Sequence, residues 1–380
     1  MKREESVDAP DRPLPLTIDR LDTPALLVDL PRLHRNLAQM AEICGQRGTV
    51  LRPHAKSHKS RGLMQLQLES GAAGITVSKL DEAYALSAAG GCRDVFLAYP
   101  IASGLKAARA MKLARDVNLT LAVDTIDGAG IINQAAMEAG VPVRVLIEID
   151  SGLARCGIKP EEAEDFVLQL RRMDHLDVAG VFTHAGHAYA ASSREELRSI
   201  AEQEVEEVVR AASGAARGGT EVRVISVGST PTVLTNIEAL EKVSELRPGN
   251  YVFKDRMQIA LGVAAVDECA LSVLTTVVST STGHAVIDAG SKTLGLDKGA
   301  HGNDALVGYG LDPESGWIVD RLSEEHGVIS DGASRYRVGD VLRLIPNHAC
   351  VVTDRAAVLY AVADHEIAHS FDVDVRGGGR

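Results

Sequence analysis

The feature that most constrains the fold is a regular alternation of short apolar runs with amphipathic segments of helical length. Eight such runs follow the first twenty residues, at 49–55, 74–78, 94–100, 119–124, 143–150, 178–184, 221–228 and 243–251. The clearest helix candidate between them is 193–216, where apolar residues are spaced three and four apart and acids lie toward the N-terminal side. Its acidic run EQEVEE is predicted to be a solvated helix face. Eight strands with intervening helices predict a (β/α)8 barrel of the TIM type.

The character of the sequence changes after Asp255. Runs rich in β-branched residues, separated by Gly and Asp turns, then predict a smaller, mainly β C-terminal domain. We therefore expect a flexible N-terminal tail over 1–20, the barrel over 21–255 and the β domain over 256–380. No repeat or long linker separates the two domains, so we expect them to be docked rigidly.

Composition and charge limit the partners. The chain has 380 residues and a formal net charge of -12, which argues against nucleic acid or an anionic membrane as the main partner. A charged, proline-rich start and the lack of any apolar run of about 18 residues predict neither a signal peptide nor a transmembrane helix. Five scattered cysteines without a CxxC pair indicate free thiols and a cytoplasmic protein. The expected partner is a small molecule.

The basic stretch RPHAKSHKS at 52–60 carries the strongest chemical signal. It ends the first strand candidate, and the active sites of such barrels lie at the C-terminal ends of the strands. The two-residue period of a strand puts Arg52, His54 and Lys56 on one face. A neighbouring cation lowers the pKa of an amine toward neutrality, which a Schiff-base lysine needs. A solvated basic loop is the alternative.

Two glycine-containing loops predict an anion site. SVGSTPT follows the seventh strand candidate and RPGN the eighth, where barrels of this kind commonly hold phosphate. Glycines let backbone N–H groups approach an anion, and the polar side chains offer further donors. The candidate residues are Gly228, Ser229, Thr230, Gly249 and Asn250. Each loop alone is ordinary turn chemistry, but together with a lysine at the barrel mouth the two loops indicate pyridoxal phosphate.

RPHAKSHKS, together with TPALLVD, HAGHAY, SVGSTP, RPGNY, EEHG and NHAC, resembles the alanine-racemase-type (fold type III) pyridoxal-phosphate enzymes of the D-serine dehydratase and D-threonine aldolase group. The resemblance runs from about Leu21 to the C-terminus. It implies that Lys56 binds the cofactor covalently, that Arg155 contacts the ring hydroxyl side and that Tyr189 lies near the pyridine nitrogen. It also implies a homodimer, phosphate contacts from the two glycine loops, and a strand at 21–30 that joins the β domain.

NHAC contains an H-x-C pair, His348 and Cys350. We interpret it as part of a strand, on which side chains two residues apart face the same way and can share one metal ion. Two ordinary strand residues are the alternative, and the resemblance favours the metal. A thiolate and an imidazole favour zinc, with manganese or cobalt as substitutes. Two protein ligands leave positions open for a substrate, on which the metal would act as a Lewis acid.

These motifs favour a lyase that dehydrates a D-β-hydroxy amino acid, of the D-serine or D-3-hydroxyaspartate type, to a 2-oxo acid and ammonia. In the resembled group the dehydratases show HAC and GSTP, as this chain does. His187 in HAGHAY is either an additional catalytic base or a loop histidine bonded to the backbone. As a base it keeps D-threonine aldolase-type cleavage to glycine and an aldehyde as an alternative. An amino-acid racemase and a non-catalytic pyridoxal-phosphate carrier are further alternatives.

Overall fold

The computed structural model of the chain describes residues 17–281, 283–301, 304–330 and 332–377. In chain order the strands are β1 (Ala25–Asp29), β2 (Val50–Leu51), β3 (Ile75–Val77), β4 (Asp94–Pro100), β5 (Asn118–Val123), β6 (Val143–Ile149), β7 (Leu176–Thr183), β8 (Val224–Val227), β9 (Glu245–Leu246), β10 (Leu271–Ser279), β11 (Ala285–Ile287), β12 (Gly310–Leu311), β13 (Arg321–Leu322), β14 (Gly327–Ile329), β15 (Val341–Pro346), β16 (Val358–Ala363) and β17 (Glu366–Asp372). The helices are α1 (Leu30–Arg47), α2 (Arg61–Glu69), α3 (Leu80–Ser87), α4 (Gly104–Leu113), α5 (Ile126–Ala139), α6 (Ala163–Leu170), α7 (Arg194–Arg217), α8 (Thr230–Leu234), α9 (Arg256–Ala260), α10 (Ser291–Leu294) and α11 (Ala349–Arg355).

Strands β2 to β9 form one parallel sheet in the order β2-β9-β8-β7-β6-β5-β4-β3. An isolated parallel bridge between His54 and Thr76 connects the two ends of this order. Inside the curled sheet, Phe96 and Phe182 meet edge to face with ring centroids 5.0 Å apart, a favourable arrangement for buried aromatic rings. The predicted (β/α)8 barrel is confirmed.

The first and last barrel strands are shorter than the sequence predicts. Pro53 and Pro248 lie two residues after the ends of β2 and β9, and a proline has no N–H to donate to a strand ladder. His54 N still donates to Pro248 O at 3.0 Å, so the two chain segments stay side by side. Lys56 consequently lies on a 3-10 turn, Ala55–Ser57, and not on a strand. The predicted strand face shared by the basic side chains is therefore wrong at Lys56.

The second sheet follows the order β13-β14-β11-β10-β1-β16-β17, with β15 pairing β10 and β12 pairing β15. The early strand β1 is antiparallel to β10 and parallel to β16, so it lies within the sheet of the C-terminal part. The predicted smaller, mainly β domain is confirmed. Residues 1–16 of the predicted tail lie outside the described residues. Thr17 bridges to Glu366, and Ile18 is buried.

Helix α7 is the long helix that the apolar spacing predicts. It begins after Ser193, whose Oγ accepts a hydrogen bond from Glu196 N at 3.1 Å, as expected of an N-cap residue. Within EQEVEE, Glu204 is only 1% exposed, so the predicted solvated face is wrong at this residue. In the part of the chain that the structure describes, no helix is both long and apolar enough to cross a bilayer.

Helix α11 of the β domain docks on the turn that carries Lys56. Thr353 Oγ1 donates to Ser57 O at 2.7 Å, and Cys350 Sγ lies 3.3 Å from Ser57 Oγ. Lys59 and Asp354 form an ion pair across the same contact. The β domain therefore reaches the mouth of the barrel at the end of its first strand.

Candidate active site

A cavity of about 950 Å³ lies at the C-terminal ends of the barrel strands and is lined by both domains. All of the predicted site residues except His187 line it. They are Lys56, Arg155, Tyr189, Gly228, Ser229, Thr230, Gly249, Asn250, His348 and Cys350. Residues distant in sequence thus converge on one space of the size that small ligands occupy.

Lys56 has the environment of a reactive amine. His54 Nδ1 accepts a hydrogen bond from the Lys56 backbone N at 3.4 Å, which caps the turn. Burial lowers the pKa of Lys56 from its ordinary value; Cys350 opposes this effect, whereas the charges of Arg155 and Arg247 reinforce it. A lysine with a lowered pKa has a larger neutral fraction and is a better nucleophile.

Two other basic residues of 52–60, Arg52 and Lys59, form ion pairs that stabilise the fold. Arg52 forms ion pairs of 2.6 Å with both Glu245 and Asp94, which ties neighbouring barrel strands together. Lys59 pairs with Asp354 and lies 3.7 Å from Glu82. Because two carboxylates engage Lys59, Lys56 is the lysine of this segment that is available to a cofactor.

His58, the second histidine of the cluster, is also structural. It is fully buried. Its Nδ1 accepts from Ser60 N at 3.0 Å, and its Nε2 lies 3.1 Å from Gln67 Oε1. Since Nδ1 accepts, Nε2 carries the proton and donates to the glutamine. This pair of bonds fixes the segment after Lys56 to the N-cap and the body of α2.

His348 and Cys350 lie together, although the strand predicted for them is wrong. Strand β15 ends at Pro346, His348 is the N-cap residue of α11, and Cys350 belongs to the first turn of that helix. Both side chains line the cavity at the start of α11. Asp297 Oδ2 lies 3.0 Å from His348 Nδ1. A carboxylate on one imidazole nitrogen orients the ring and leaves the other nitrogen for a metal.

The charges of this pair depend on each other. Burial lowers the pKa of His348, but Asp297 and Cys350 outweigh burial and raise it to about 10. Burial raises the pKa of Cys350, but His348 and the Ser57 hydroxyl outweigh burial and lower it. The thiolate and imidazole are the ligand types that zinc prefers, and a bound cation would replace the histidine proton.

Sequence reasoning missed two further cavity histidines, His184 and His301. His184 Nδ1 lies 3.1 Å from Gly228 O and must donate to it, whereas His184 Nε2 has no hydrogen-bond partner within the described part of the chain. The His301 ring centroid lies 5.5 Å from that of His184 and 5.6 Å from that of Tyr189. Burial lowers the pKa of both histidines, that of His301 to about 4. His184 is the first histidine of HAGHAY, whereas no sequence motif around His301 identifies it as a cavity residue.

His187 is not among the residues that line the cavity. It lies on the 3-10 turn Gly186–Ala190, in which residues two positions apart project to different sides. Tyr189 therefore faces the cavity, and the His187 ring lies against Gly152, where a Cβ would come within 3.1 Å of it. Within HAGHAY, the structure brings His184 rather than His187 to the other candidates.

Arg247 also lines the cavity and was missed. It is 4% exposed and donates to Ser226 Oγ and Thr183 O. Its guanidinium carbon lies 5.1 Å from the Phe182 ring centroid and 5.7 Å from that of Phe96. The arginine is thus a fixed positive charge under the strand ends, held by hydrogen bonds and by the faces of two rings.

The glycines of the two loops are required by packing between protein segments. A Cβ on Gly249 would lie 2.7 Å from Ser57 Oγ and 3.0 Å from His54 O. Gly228 has a φ of +136, and a Cβ there would lie 2.8 Å from Arg247 N. Both positions therefore need a residue without a side chain, and the seventh and eighth strand ends are brought close to the lysine turn.

The cavity residues fit pyridoxal phosphate. Lys56 offers an amine with a lowered pKa, and Arg155 and Arg247 supply positive charge for an anionic cofactor. Several buried polar atoms of the cavity, among them His184 Nε2 and Asn250 Oδ1, have no hydrogen-bond partner among the described residues. Buried polar atoms are normally paired, so these positions suit a ligand or ordered water.

Two family models match the chain. The model described as "Alanine racemase, N-terminal domain" matches residues 28–257, and that described as "Putative serine dehydratase domain" matches residues 270–362. The D-threo-3-hydroxyaspartate dehydratase of Delftia sp. (strain HT23) is 36% identical over 91% of this chain and 96% of the relative. The D-threonine aldolase of Arthrobacter sp. is 30% identical over 95% and 94%. The D-serine dehydratase of Dictyostelium discoideum is 28% identical over 93% and 97%.

The fold is also found among solved structures. That of the D-threo-3-hydroxyaspartate dehydratase from Delftia sp. HT23 has a TM-score of 0.87 and 34% identity, over 94% of this chain and 99% of that chain. Two further structures of that enzyme carry histidine-to-alanine and cysteine-to-alanine changes two positions apart, and the cysteine variant is described as the metal-free form. His348 and Cys350 have the same spacing.

Proposed function

The chain belongs to the family that combines the alanine racemase N-terminal domain with the serine dehydratase domain, and from this premise we propose that it dehydrates a D-β-hydroxy amino acid with the help of a metal. The proposed substrates are of the D-3-hydroxyaspartate or D-serine type, and the products are a 2-oxo acid and ammonia. One observation carries the proposal. Cys350 Sγ lies 3.3 Å from the hydroxyl of Ser57, the residue after Lys56, so the candidate metal ligands border the candidate cofactor lysine.

When bound, pyridoxal phosphate supplies an aldehyde that condenses with amines and a ring that accepts electrons from the α-carbon, and a divalent metal supplies a Lewis acid for the departing hydroxyl. Lys56 would hold the cofactor, and its Nζ would take the α-proton of the substrate. Arg155 would contact the ring hydroxyl side, and Tyr189 would lie near the pyridine nitrogen. The proposed phosphate contacts come from Gly228, Ser229, Thr230, Gly249 and Asn250.

His348 and Cys350 are the proposed metal ligands, with Asp297 orienting the histidine ring. We propose zinc, because thiolate and imidazole suit it, with manganese or cobalt as substitutes. The metal-free cysteine variant of the Delftia relative supports a metal at this pair. His187 is left out of the proposed mechanism because its ring lies against Gly152 and not in the cavity.

Retro-aldol cleavage to glycine and an aldehyde is the second candidate function. It needs a base for the β-hydroxyl proton, and His184 offers an unpartnered Nε2 in the cavity. Burial lowers the pKa of His184 well below its ordinary value, so the ring is neutral and can accept a proton. An aldolase among the relatives supports this alternative.

Product analysis on D-serine, D-threonine and D-threo-3-hydroxyaspartate separates the candidates. We expect a 2-oxo acid and ammonia in equal amounts, with the L-enantiomers and the Lys56→Ala variant as controls. Formation of glycine and an aldehyde instead would identify the enzyme as an aldolase. Exchange of the α-proton without either product would indicate a racemase, and no exchange at all would indicate a carrier.

We also propose that the enzyme is a homodimer and works in the cytoplasm. The five free cysteines support a reducing compartment, and the net charge of -12 supports a small-molecule partner over nucleic acid. Light scattering on the purified protein should give twice the mass of the chain. A monomer at working concentrations would refute the dimer.

A further inference from the structure

We propose that Asp255 couples the cofactor site to the metal site, so that each ligand tightens the binding of the other. The inference rests on the proposed function, which places the phosphate near Asn250 and the metal at His348 and Cys350. Asp255 Oδ2 accepts from Asn250 Nδ2 at 2.6 Å and from the backbone N of Ala349 at 2.8 Å. Ala349 lies between the two metal ligands in sequence. A single carboxylate oxygen therefore touches both sites.

The position of this carboxylate is fixed. Asp255 is fully buried, and its Oδ1 accepts from Met257 N at 3.1 Å and from Gln258 N at 3.3 Å at the start of α9. Donors thus occupy both oxygens, and a shift of the carboxylate would leave at least one buried N–H unpaired. A buried N–H without a hydrogen-bond partner is strongly disfavoured. Asp255 behaves as a rigid link and not as an adaptable surface acid.

Coupling follows from this shared anchor. A metal bound to His348 and Cys350 holds the backbone of Ala349 in place, and the Ala349 N–H then holds the carboxylate of Asp255. The carboxylate in turn orients the amide of Asn250 in the phosphate loop. Because the first ligand restrains the segments of Ala349 and Asn250 on either side of this fixed carboxylate, the second ligand binds more tightly. Thermodynamic linkage requires the same factor in both directions.

Glu204 provides a matched contrast. Like Asp255 it is a buried carboxylate, and its Oε1 accepts from Ala185 N at 3.1 Å and from Gly228 N at 3.2 Å. These donors belong to the two loops that follow β7 and β8. Glu204 therefore supports the cofactor side alone and serves as a control for general loosening of the cavity.

The test is a pair of titrations on the cofactor-free full chain. Pyridoxamine 5'-phosphate is the probe, because it carries the phosphate but cannot condense with Lys56, and zinc chloride is the metal. We expect zinc to tighten pyridoxamine phosphate binding by about five-fold or more, and pyridoxamine phosphate to tighten zinc by the same factor. Calorimetry measures both dissociation constants without reference to activity.

Three variants locate the coupling. Asp255→Asn turns an amide NH2 toward the donors, so both affinities should fall and the coupling factor should approach one. Ala349→Pro removes the N–H that reaches Asp255 and adds a ring at a buried position; Ala349 is the first residue of α11, where proline is tolerated. It should lose the coupling even if zinc and pyridoxamine phosphate each still bind. Glu204→Gln should weaken pyridoxamine phosphate binding and retain the coupling.

The outcomes distinguish a failure of the proposed function from a failure of the coupling through Asp255. A wild-type protein that binds neither ligand would overturn the proposed function and the inference with it. Binding of both ligands with a factor of one in the wild type would overturn the inference alone. Retention of the wild-type factor in Ala349→Pro would also overturn it, and this variant decides the question if Asp255→Asn does not fold.

Discussion

At the residue scale, the lysines of RPHAKSHKS have different partners, and this difference can be tested. Lys59 is engaged by Asp354 and Glu82, whereas burial lowers the pKa of Lys56 beside the cavity. We expect borohydride to attach the pyridoxyl group to Lys56, and Lys56→Ala to abolish both this attachment and turnover. Peptide mapping after reduction measures the site.

Lys59→Ala is the matched control in the same segment. It removes the ion pairs with the carboxylates and should lower the melting temperature, but it should keep the covalent cofactor. A pyridoxyl group found on Lys59 would show that the assignment of Lys56 is wrong.

The metal ligands make a second prediction at this scale. Hydroxide is a poor leaving group, so loss of the Lewis acid should slow elimination by orders of magnitude. Chelation and His348→Ala should therefore act alike: both should keep the Schiff-base absorbance of Lys56 and α-proton exchange, but release little 2-oxo acid. Cys350→Asp should shift metal preference from zinc toward manganese, because a carboxylate is a harder ligand. Wild-type elimination by protein shown to be metal-free would refute the proposed mechanism.

Most candidate residues could be predicted because they lie in short sequence motifs. The others lie outside such motifs and could not be predicted. The glycine loops and NHAC are local patterns, and their residues line the cavity. Asp297 reaches His348 from 51 positions away in sequence, and His301 reaches the His184 ring only through the packing of the β domain against the barrel. No local pattern reports such contacts. Within HAGHAY, the pattern alone did not reveal which histidine faces the cavity, because the turn geometry decides it.

At the scale of elements, the contact of α11 with the lysine turn makes a third prediction. Thr353 Oγ1 donates to Ser57 O at 2.7 Å in a buried contact. Thr353→Val keeps the shape and removes the donor, which should lower the free energy of unfolding by about 1 to 2 kcal/mol. Cofactor affinity should fall as well, since the turn that carries Lys56 is held less firmly. Urea unfolding and a cofactor titration measure the two effects.

Ser213→Ala is the control for Thr353→Val. The Ser213 hydroxyl donates to Val209 O on an exposed face of α7, so its loss should change stability by less than about 0.5 kcal/mol. Unchanged stability and cofactor binding in Thr353→Val would mean that α11 contributes nothing to the position of the turn.

Element prediction succeeded where one periodicity ran unbroken and failed where proline intervened. The alternation of apolar runs located β3 to β8 and the long helix α7, since each is set by its own residues. Pro53 and Pro248 end β2 and β9 early, and Pro346 ends β15 before His348. The H-x-C pair could share a metal on a strand or on a helix start, so the chemistry was predictable although the element was not.

At the scale of the whole molecule, the two domains could be predicted separately, but the way they meet could not. Period and turn residues identify a parallel barrel and a mainly antiparallel sheet. The place of β1 between β10 and β16 was expected only from the resemblance. The contacts of α11 with the barrel depend on side chains from both domains, such as Thr353 and Ser57. The site therefore forms only in the assembled fold.

The stability of the assembled molecule should depend on pH through His58. Burial lowers the pKa of His58 from 6.5 to about 4, so the native state keeps the ring neutral while the unfolded chain binds a proton. This contribution is fully present above about pH 6.5 and is lost as the pH falls through about 4. The shift corresponds to about 3 kcal/mol.

Comparison of the wild type with His58→Gln isolates this effect. Glutamine does not titrate, so the free energy of unfolding of the wild type relative to the variant should fall by about 3 kcal/mol between about pH 7 and pH 4. Burial raises the pKa of Glu148 to about 7, so its contribution runs the other way and is lost as the pH rises. Glu148 is present in both proteins, and its contribution cancels in the difference. Urea unfolding across this range measures that difference, and a difference that stays constant with pH would show that His58 accepts a proton in the native state.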